Sequence, residues 1–225
     1  MTKTIVEIQD AILRKNDDLA SALRSRFSEE RTYVINLLSS PGSGKTTLLE
    51  ETLRRAQPLL RVAALVGDQA TENDAARLAR SGAPVRQIST GAECRLDAHM
   101  IESALRGWEP ARCDLLCIEN VGNLICPAEY NLGEDLRVVL FSVTEGEDKP
   151  LKYPLAFNTS QVALITKIDL AEAVDFDRDA AHRNIQQVHP GIPIIEVSAR
   201  NGHGVDTWMN FLRERIAQRT NAALV

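Results

Sequence analysis

Tyr33 to Glu50 reads YVINLLSSPGSGKTTLLE: an apolar run fit for a buried strand, a turn of small residues, then a helix-forming segment. A strand-to-helix turn of this kind gathers free backbone N–H groups and the positive end of the helix dipole around an anion. Gly42 and Gly44 allow backbone conformations that a side chain would penalise, Lys45 reaches the β- and γ-phosphates, and the Thr46 hydroxyl can ligate Mg²⁺. The phosphate-binding set is Gly42, Ser43, Gly44, Lys45, Thr46 and Thr47. The stretch departs from G-x-x-x-x-G-K-[ST] only at its entrance, where Ser39 stands for glycine; serine serves there if its φ is negative. The competing reading is a plain glycine-rich helix cap, and strand, lysine and threonine at their required places argue against it.

A chain of 225 residues with 44% hydrophobic and 25% charged residues can bury one substantial core. Its net charge of −5 gives no general attraction to nucleic acid or to an anionic membrane, so neither partner is expected. No apolar run reaches the roughly 18 residues of a membrane span, and MTKTIVEIQD lacks the pattern of a secretory signal, which predicts a cytoplasmic protein. The four cysteines, Cys94, Cys113, Cys117 and Cys126, are then expected to stay reduced, for packing, metal ligation or redox chemistry.

Working outward, seven apolar runs predict strands at 33–38, 61–66, 84–88, 114–118, 137–143, 161–165 and 192–197, with helix-length segments in most gaps. This alternation predicts an α/β fold: a mainly parallel sheet flanked by helices, with ligands beyond the carboxyl ends of the strands. Ile5, Ile8, Ile12, Leu19, Leu23 and Phe27 recur at near-helical spacing, so residues 1–30 are expected as an amphipathic helix packed on the domain formed by 31–225.

The motifs fall at strand ends. TKID follows QVALI, and the Asp169 carboxylate can accept hydrogen bonds from the N1–H and 2-amino groups of guanine, which adenine does not present. Alternatively Asp169 caps the next helix together with Glu172. The later strand end SARNGHG offers the Ala199 N–H to guanine O6, and the pair of segments favours GTP and GDP as ligands. The base-binding set is Thr166, Lys167, Asp169, Ser198, Ala199 and Arg200, with Thr166 where asparagine is usual. Asp68 and Glu119 each close a strand, where a carboxylate can hold Mg²⁺ or orient the attacking water, and the Gly122 N–H can sense the γ-phosphate. The catalytic candidates are Lys45, Asp68 and Glu119, with Thr46 and Asp68 as magnesium ligands. For Asp68 the alternative is a turn residue ahead of a helix opened by Thr71 and Asp74; for Glu119 it is a solvated strand end.

Taken together, NLLSSPGSGKTTLL, GDQATENDA, STGAECRLDAHM, CIENVGNLICPAEYNLGE, SVTEGEDKPLKYP and ITKIDL resemble the hydrogenase nickel-incorporation GTPase family, HypB, with a weaker echo in ILRKNDDLA. The resemblance implies a P-loop GTPase of the SIMIBI class that dimerises on binding GTP and delivers nickel during [NiFe] hydrogenase maturation. It also implies the partner HypA and a hydrogenase large-subunit precursor. It makes Cys94 and Cys126 ligands for Ni²⁺ or Zn²⁺ at the dimer interface, and places Lys149 and Lys152 near the dimer or the nucleotide. Cys113 and Cys117 read as buried packing residues. Two departures stand out. No histidine precedes His99, and the family's Cys-His pair reads Cys94-Arg95 here. Cys94 looks like the start of a helix, which puts His99 about 140° away and makes it a poor replacement. A urease-accessory GTPase is disfavoured because Ala128, not histidine, follows Cys126-Pro127. A small-molecule kinase would lack the TKID and SAR segments, and a metal-binding switch without useful turnover is the remaining alternative.

Overall fold

Seven strands form where the apolar runs lie: β1 (Tyr33–Ser39), β2 (Val62–Asp68), β3 (Val85–Ser89), β4 (Leu115–Glu119), β5 (Leu136–Ser142), β6 (Val162–Thr166) and β7 (Ile194–Val197). The computed structural model describes residues 5–68 and 73–222, with the side chains at both termini of that span left out. Thr71 lies outside the described residues, and so do the side chains of Ile5 and Ile8. The strands join in one sheet, in the order β3-β2-β4-β1-β5-β6-β7, and every pairing is parallel. Parallel neighbours require crossovers, and these run through α2 (Lys45–Ala56), α3 (Asn73–Ala79), α4 (Ala98–Leu105), α5 (Cys126–Glu129), α6 (Lys149–Lys152), α7 (Pro154–Asn158) and α8 (Arg178–Val188), while α1 (Ile5–Glu29) precedes β1 and α9 (Val205–Ala222) follows β7. No described helix is long and apolar enough to cross a membrane.

The two-residue period of β1 shows how the layers are specified. Tyr33, Ile35 and Leu37 point to one face, where they pack with Leu48, Leu49 and Leu53 of α2 and with Trp208 and Leu212 of α9. Val34 points to the other, beside Leu23 and Phe27 of α1 and Ile101 of α4. Leu38 joins a third cluster, with Phe141 of β5 and Phe157 of α7. Asn36 falls between these two clusters, fully buried and polar in a strand otherwise built for the core. Burying a side chain of the size of Leu23 or Phe27 is worth about 1.5–3 kcal/mol, which fixes the C-terminal half of α1 on the domain, while Ile12 toward its other end stays half exposed.

β1 lies at the centre of the sheet, between β4 and β5, so the strand order reverses there. That is the crevice position at which open parallel sheets bind ligands, and the phosphate-loop sequence leaves the sheet at this point.

Candidate functional site

Gly42 (φ 75°) and Gly44 (φ 91°) occupy the left-handed region, and Lys45 begins α2 directly after them. Ser39 is an ordinary strand residue without positive φ, so it meets the condition set by its sequence position. Lys45 Nζ donates to Glu119 Oε1 at 3.0 Å, and Thr46 Oγ1 donates to the same oxygen at 2.6 Å. Glu119 is 1% exposed, which removes the solvated-strand-end reading, and its second oxygen, Oε2, is buried without a partner. A buried carboxylate oxygen left open beside a threonine hydroxyl is a donor set suited to a hard cation such as Mg²⁺.

A cavity of about 500 Å³ spans Ser40 to Thr47 and reaches Asp68, Asp74, Arg77, Gly122 and Lys167. Gly122 has a steric reason to be glycine: a Cβ there would stand 3.2 Å from the backbone of Pro41, so the loop after β4 can lie directly on the phosphate loop. Sequence reading missed Arg77. It donates to Thr47 Oγ1 at 2.8 Å from the wall of the cavity, and no local sequence signal distinguishes it from the other arginines of helical segments.

A second cavity of about 390 Å³ shares Gly44, Thr47 and Lys167 with the first and is lined further by Thr166, Asp169, Ser198, Ala199 and Arg200. The whole base-binding set predicted from two distant segments is thus brought to one place, by the pairing of β6 with β7. Asp169 is exposed, and its carboxylate forms no capping bond among the described residues; the turn at Glu172 has no side-chain cap, and α8 is capped by Asp177 instead. The capping alternative therefore falls. Thr166 Oγ1 lies 2.5 Å from Ser43 O and 3.2 Å from Phe141 O, and Lys167 Nζ donates to Gly42 O at 2.6 Å. Base segment and phosphate loop are fastened directly to each other.

The cysteines divide as expected in place but not in bonding. Cys113 and Cys117 are buried, and burial pushes the Cys113 thiol up to about 12 and raises that of Cys117 well above its ordinary value. Cys94 and Cys126 come together, with Cα atoms 6.3 Å apart, as a disulfide pair. This corrects the expectation that all four thiols stay reduced: the loop before α4 and the start of α5 converge on one spot. Cys94 does not begin a helix. Asp97 caps α4 by accepting from Met100 N at 2.8 Å, so Cys94 belongs to the preceding loop and the angular argument about His99 does not apply. His99 is exposed on the first turn of α4. Arg95 lies 3.8 Å over the Tyr130 ring and pairs with Glu93. Lys149 pairs with Glu145 at 2.8 Å, and Lys152 with Asp148 at 2.6 Å. Among the described residues no three histidine, cysteine, aspartate or glutamate side chains form a metal-holding group.

The family model of the CobW/HypB/UreG nucleotide-binding domain matches residues 33–196. The hydrogenase maturation factor HypB of Azotobacter chroococcum mcd 1 is 46% identical over 98% of this chain and 72% of its own length. The crystal structure of the hydrogenase maturation factor HypB from Archaeoglobus fulgidus superposes with a TM-score of 0.84 at 41% identity, covering 90% of this chain and 99% of that one. HypB from Helicobacter pylori, solved in complex with nickel, gives a TM-score of 0.85 at 40% identity, over 91% of this chain and 96% of its own.

Proposed function

The chain belongs to the HypB hydrogenase maturation factors within the CobW/HypB/UreG family of P-loop GTPases, and from that membership we propose that it hydrolyses GTP while assisting nickel delivery to a [NiFe] hydrogenase precursor. The observation that carries the nucleotide reading is that Lys45 and Thr46, which line the first cavity, both meet on Glu119, and that this cavity shares Gly44, Thr47 and Lys167 with a second one lined by Asp169 and Ala199. A triphosphate fits along the Gly42–Thr46 N–H groups with guanine against Lys167, and Asp169 accepting from N1–H and the 2-amino group. Lys45 then exchanges Glu119 for the β- and γ-phosphate oxygens. Glu119 is released to orient a water for attack on the γ-phosphorus, and the bond to the bridging β-oxygen breaks to leave GDP and phosphate. Mg²⁺ would be held by Thr46 Oγ1, with Asp68 and Glu119 directly or through water, and supplies neutralisation of the phosphate charge.

Nickel is cargo in this scheme. The γ-phosphate orders Asp68 and the Glu119–Gly122 segment, which favours a two-fold homodimer over the GDP state. Once a dithiol reductant has opened the Cys94–Cys126 disulfide by two electrons and become a disulfide itself, Cys94 and Cys126 of both subunits offer four thiolates at the axis, a set suited to square-planar Ni²⁺ or tetrahedral Zn²⁺. The convergence of the two sulfurs within one chain supports their acting as a unit, and the nickel complex of the Helicobacter pylori relative supports nickel as the metal. HypA and the large-subunit precursor are the partners this role requires.

Two measurements test the reading. Sedimentation with GDP and with a non-hydrolysable GTP analogue should give a larger dimer fraction for the analogue; equal fractions would remove the nucleotide from control of assembly. Nickel insertion should stop with the analogue in place of GTP, and insertion that proceeds unchanged would favour a binding switch over a hydrolytic cycle.

A further inference from the structure

Directly after Glu119, the Asn120 carboxamide is 1% exposed and fully engaged. Its Oδ1 accepts from Val121 N and from Leu96 N, both at 3.0 Å, and its Nδ2 donates to Asn36 Oδ1 at 3.3 Å. Asn36 Nδ2 donates in turn to Glu134 Oε1 at 3.2 Å, which also receives Arg137 Nε at 2.8 Å. Arg137 finishes the chain by donating to Ala128 O at 2.9 Å and Tyr130 O at 2.8 Å, the carbonyls of α5 and the residue after it. Asn36, Glu134 and Arg137 are all at most 8% exposed.

The polarity of this chain is forced. A carboxylate only accepts, so Asn36 must turn its amide nitrogen to Glu134 and its oxygen to Asn120; Asn120 must then turn its own oxygen to the two backbone N–H groups. A single arrangement satisfies every member, and an unmet partner anywhere costs the full desolvation of a buried polar group. Its two ends are the loops of the cysteine pair. Leu96 follows Cys94 by two residues, and Ala128 and Tyr130 follow Cys126. Asn123 adds a shorter link, donating to Cys94 O at 3.3 Å. The Cys94 loop also presses on the strand end that carries Asp68, because a Cβ at Gly67 would stand 2.7 Å from the Leu96 side chain.

We propose that Asn120 is a positioning residue that ties both cysteine loops to the strand end bearing Glu119, so that filling the phosphate cavity changes how Cys94 and Cys126 are presented. The inference rests on the nucleotide reading above. When Lys45 and Thr46 turn to phosphate and metal, Glu119 loses both of its bonds, and the residue bonded next in the chain is the one that holds Leu96 and Asn36. Motion at β4 is therefore passed through this chain of hydrogen bonds to the backbone of both cysteine loops.

The test uses the full chain, reduced, at one fixed pH. Alkylation by iodoacetamide is read residue by residue by mass spectrometry with GDP and with a non-hydrolysable GTP analogue, and nucleotide affinity is measured alongside. In the wild type the rates at Cys94 and Cys126 should differ between the two states by about fivefold or more. Asn120→Ala should bring both ratios near one while the analogue still binds. Asn120→Asp keeps the two accepted bonds and loses the donation to Asn36, so Cys94 should keep its response and Cys126 lose it; a merely structural role would not separate the two. If Asn120→Ala does not fold, Asn123→Ala, at a half-buried position, should weaken the response at both sulfurs, because Asn123 donates to Cys94 O and accepts from the N–H of Ile125, next to Cys126. Wild-type rates that ignore the nucleotide, or an Asn120→Ala ratio like that of the wild type, would overturn the proposal. Failure of the wild type to bind the analogue at all would instead overturn the nucleotide reading, and the coupling with it.

Discussion

At the nucleotide end of the molecule, each recognition element is braced by another: Lys45 and Thr46 share Glu119, and Thr166 and Lys167 reach back to Ser43 and Gly42. The cysteine end is built differently. Cys94 lies in a loop and Cys126 at the head of a four-residue helix, next to the largely exposed Ile125, and within one chain they offer two sulfurs and no third ligand among the described residues. A site complete in one chain can bind before anything else happens. A site with half its ligands would have to wait for a second copy, and under the proposed function the order of events is nucleotide first, assembly second, metal third.

The comparison breaks most visibly at Lys45. If the nucleotide end is self-sufficient and the cysteine end depends on it, Lys45→Ala should lower GTP turnover about 100-fold or more by removing charge from the β- and γ-phosphates, and should abolish metal uptake that requires the GTP state. Turnover assays and metal titration on the same preparation check both. Loss of turnover with metal binding intact would show that the two ends are independent.

Asp169→Asn should come next in size, weakening GTP binding by about 10–100-fold as two hydrogen bonds to a charged acceptor are lost, while favouring xanthosine triphosphate, whose C2 carbonyl can pair with the amide. Competition binding with both nucleotides reads this directly. Unchanged GTP affinity would sink the base assignment and leave the second cavity without a ligand.

At the cysteine end, Cys94→Ser or Cys126→Ser should remove the metal from the GTP-state dimer, and Cys113→Ser should leave it. Thiol ionisation gives an independent check with a definite sign. Burial raises the Cys113 pKa to about 12, so the reactive thiolate appears only as the pH climbs toward that value; at pH 8 alkylation should mark the reduced Cys94 and Cys126 and spare Cys113 and Cys117. Arg95→His asks whether restoring the family ligand tightens nickel binding. In the present fold the Arg95 guanidinium stacks on Tyr130 and pairs with Glu93.

How much of this could be read beforehand follows the same division. The seven strands, the phosphate-loop turn and the strand-end segments TKID and SAR that meet at one cavity were legible because each carries a local signature, whether an apolar run, a glycine where φ must be positive, or a carboxylate at a strand end. The sequence pattern puts Cys94 at the start of a helix, whereas Asp97, three residues before Met100, is the cap that moves the start to Ala98. The pairing of Cys94 with Cys126 depends on how two loops meet after the sheet is assembled, and nothing local encodes it. Asn36 and Asn120 were invisible for a related reason: a polar residue in an apolar strand reads as noise until its partner, 84 positions away, is in place.

The smallest effect expected is also the one that sharpens the comparison most, because each end carries one departure from the motif it resembles. Arg95 replaces a ligand by a group that cannot ligate. Thr166 replaces asparagine by a residue that keeps one hydrogen-bonding group, and its hydroxyl, within reach of both Ser43 O and Phe141 O, donates to one of them at a time. Most of the work left to this position is then to hold the phosphate loop rather than to read the base. Thr166→Val preserves the shape and leaves a buried carbonyl without its donor, a loss of about 1–2 kcal/mol that should weaken GTP and xanthosine triphosphate by the same factor of roughly 5–30. Thr166→Ser, which keeps the hydroxyl, should bind both nearly as the wild type does. Equal loss for two different bases in calorimetric titrations marks a tether. A loss confined to GTP would mean that the hydroxyl touches guanine, and the departure at the nucleotide end would then be one of recognition, as the departure at Arg95 is one of ligation.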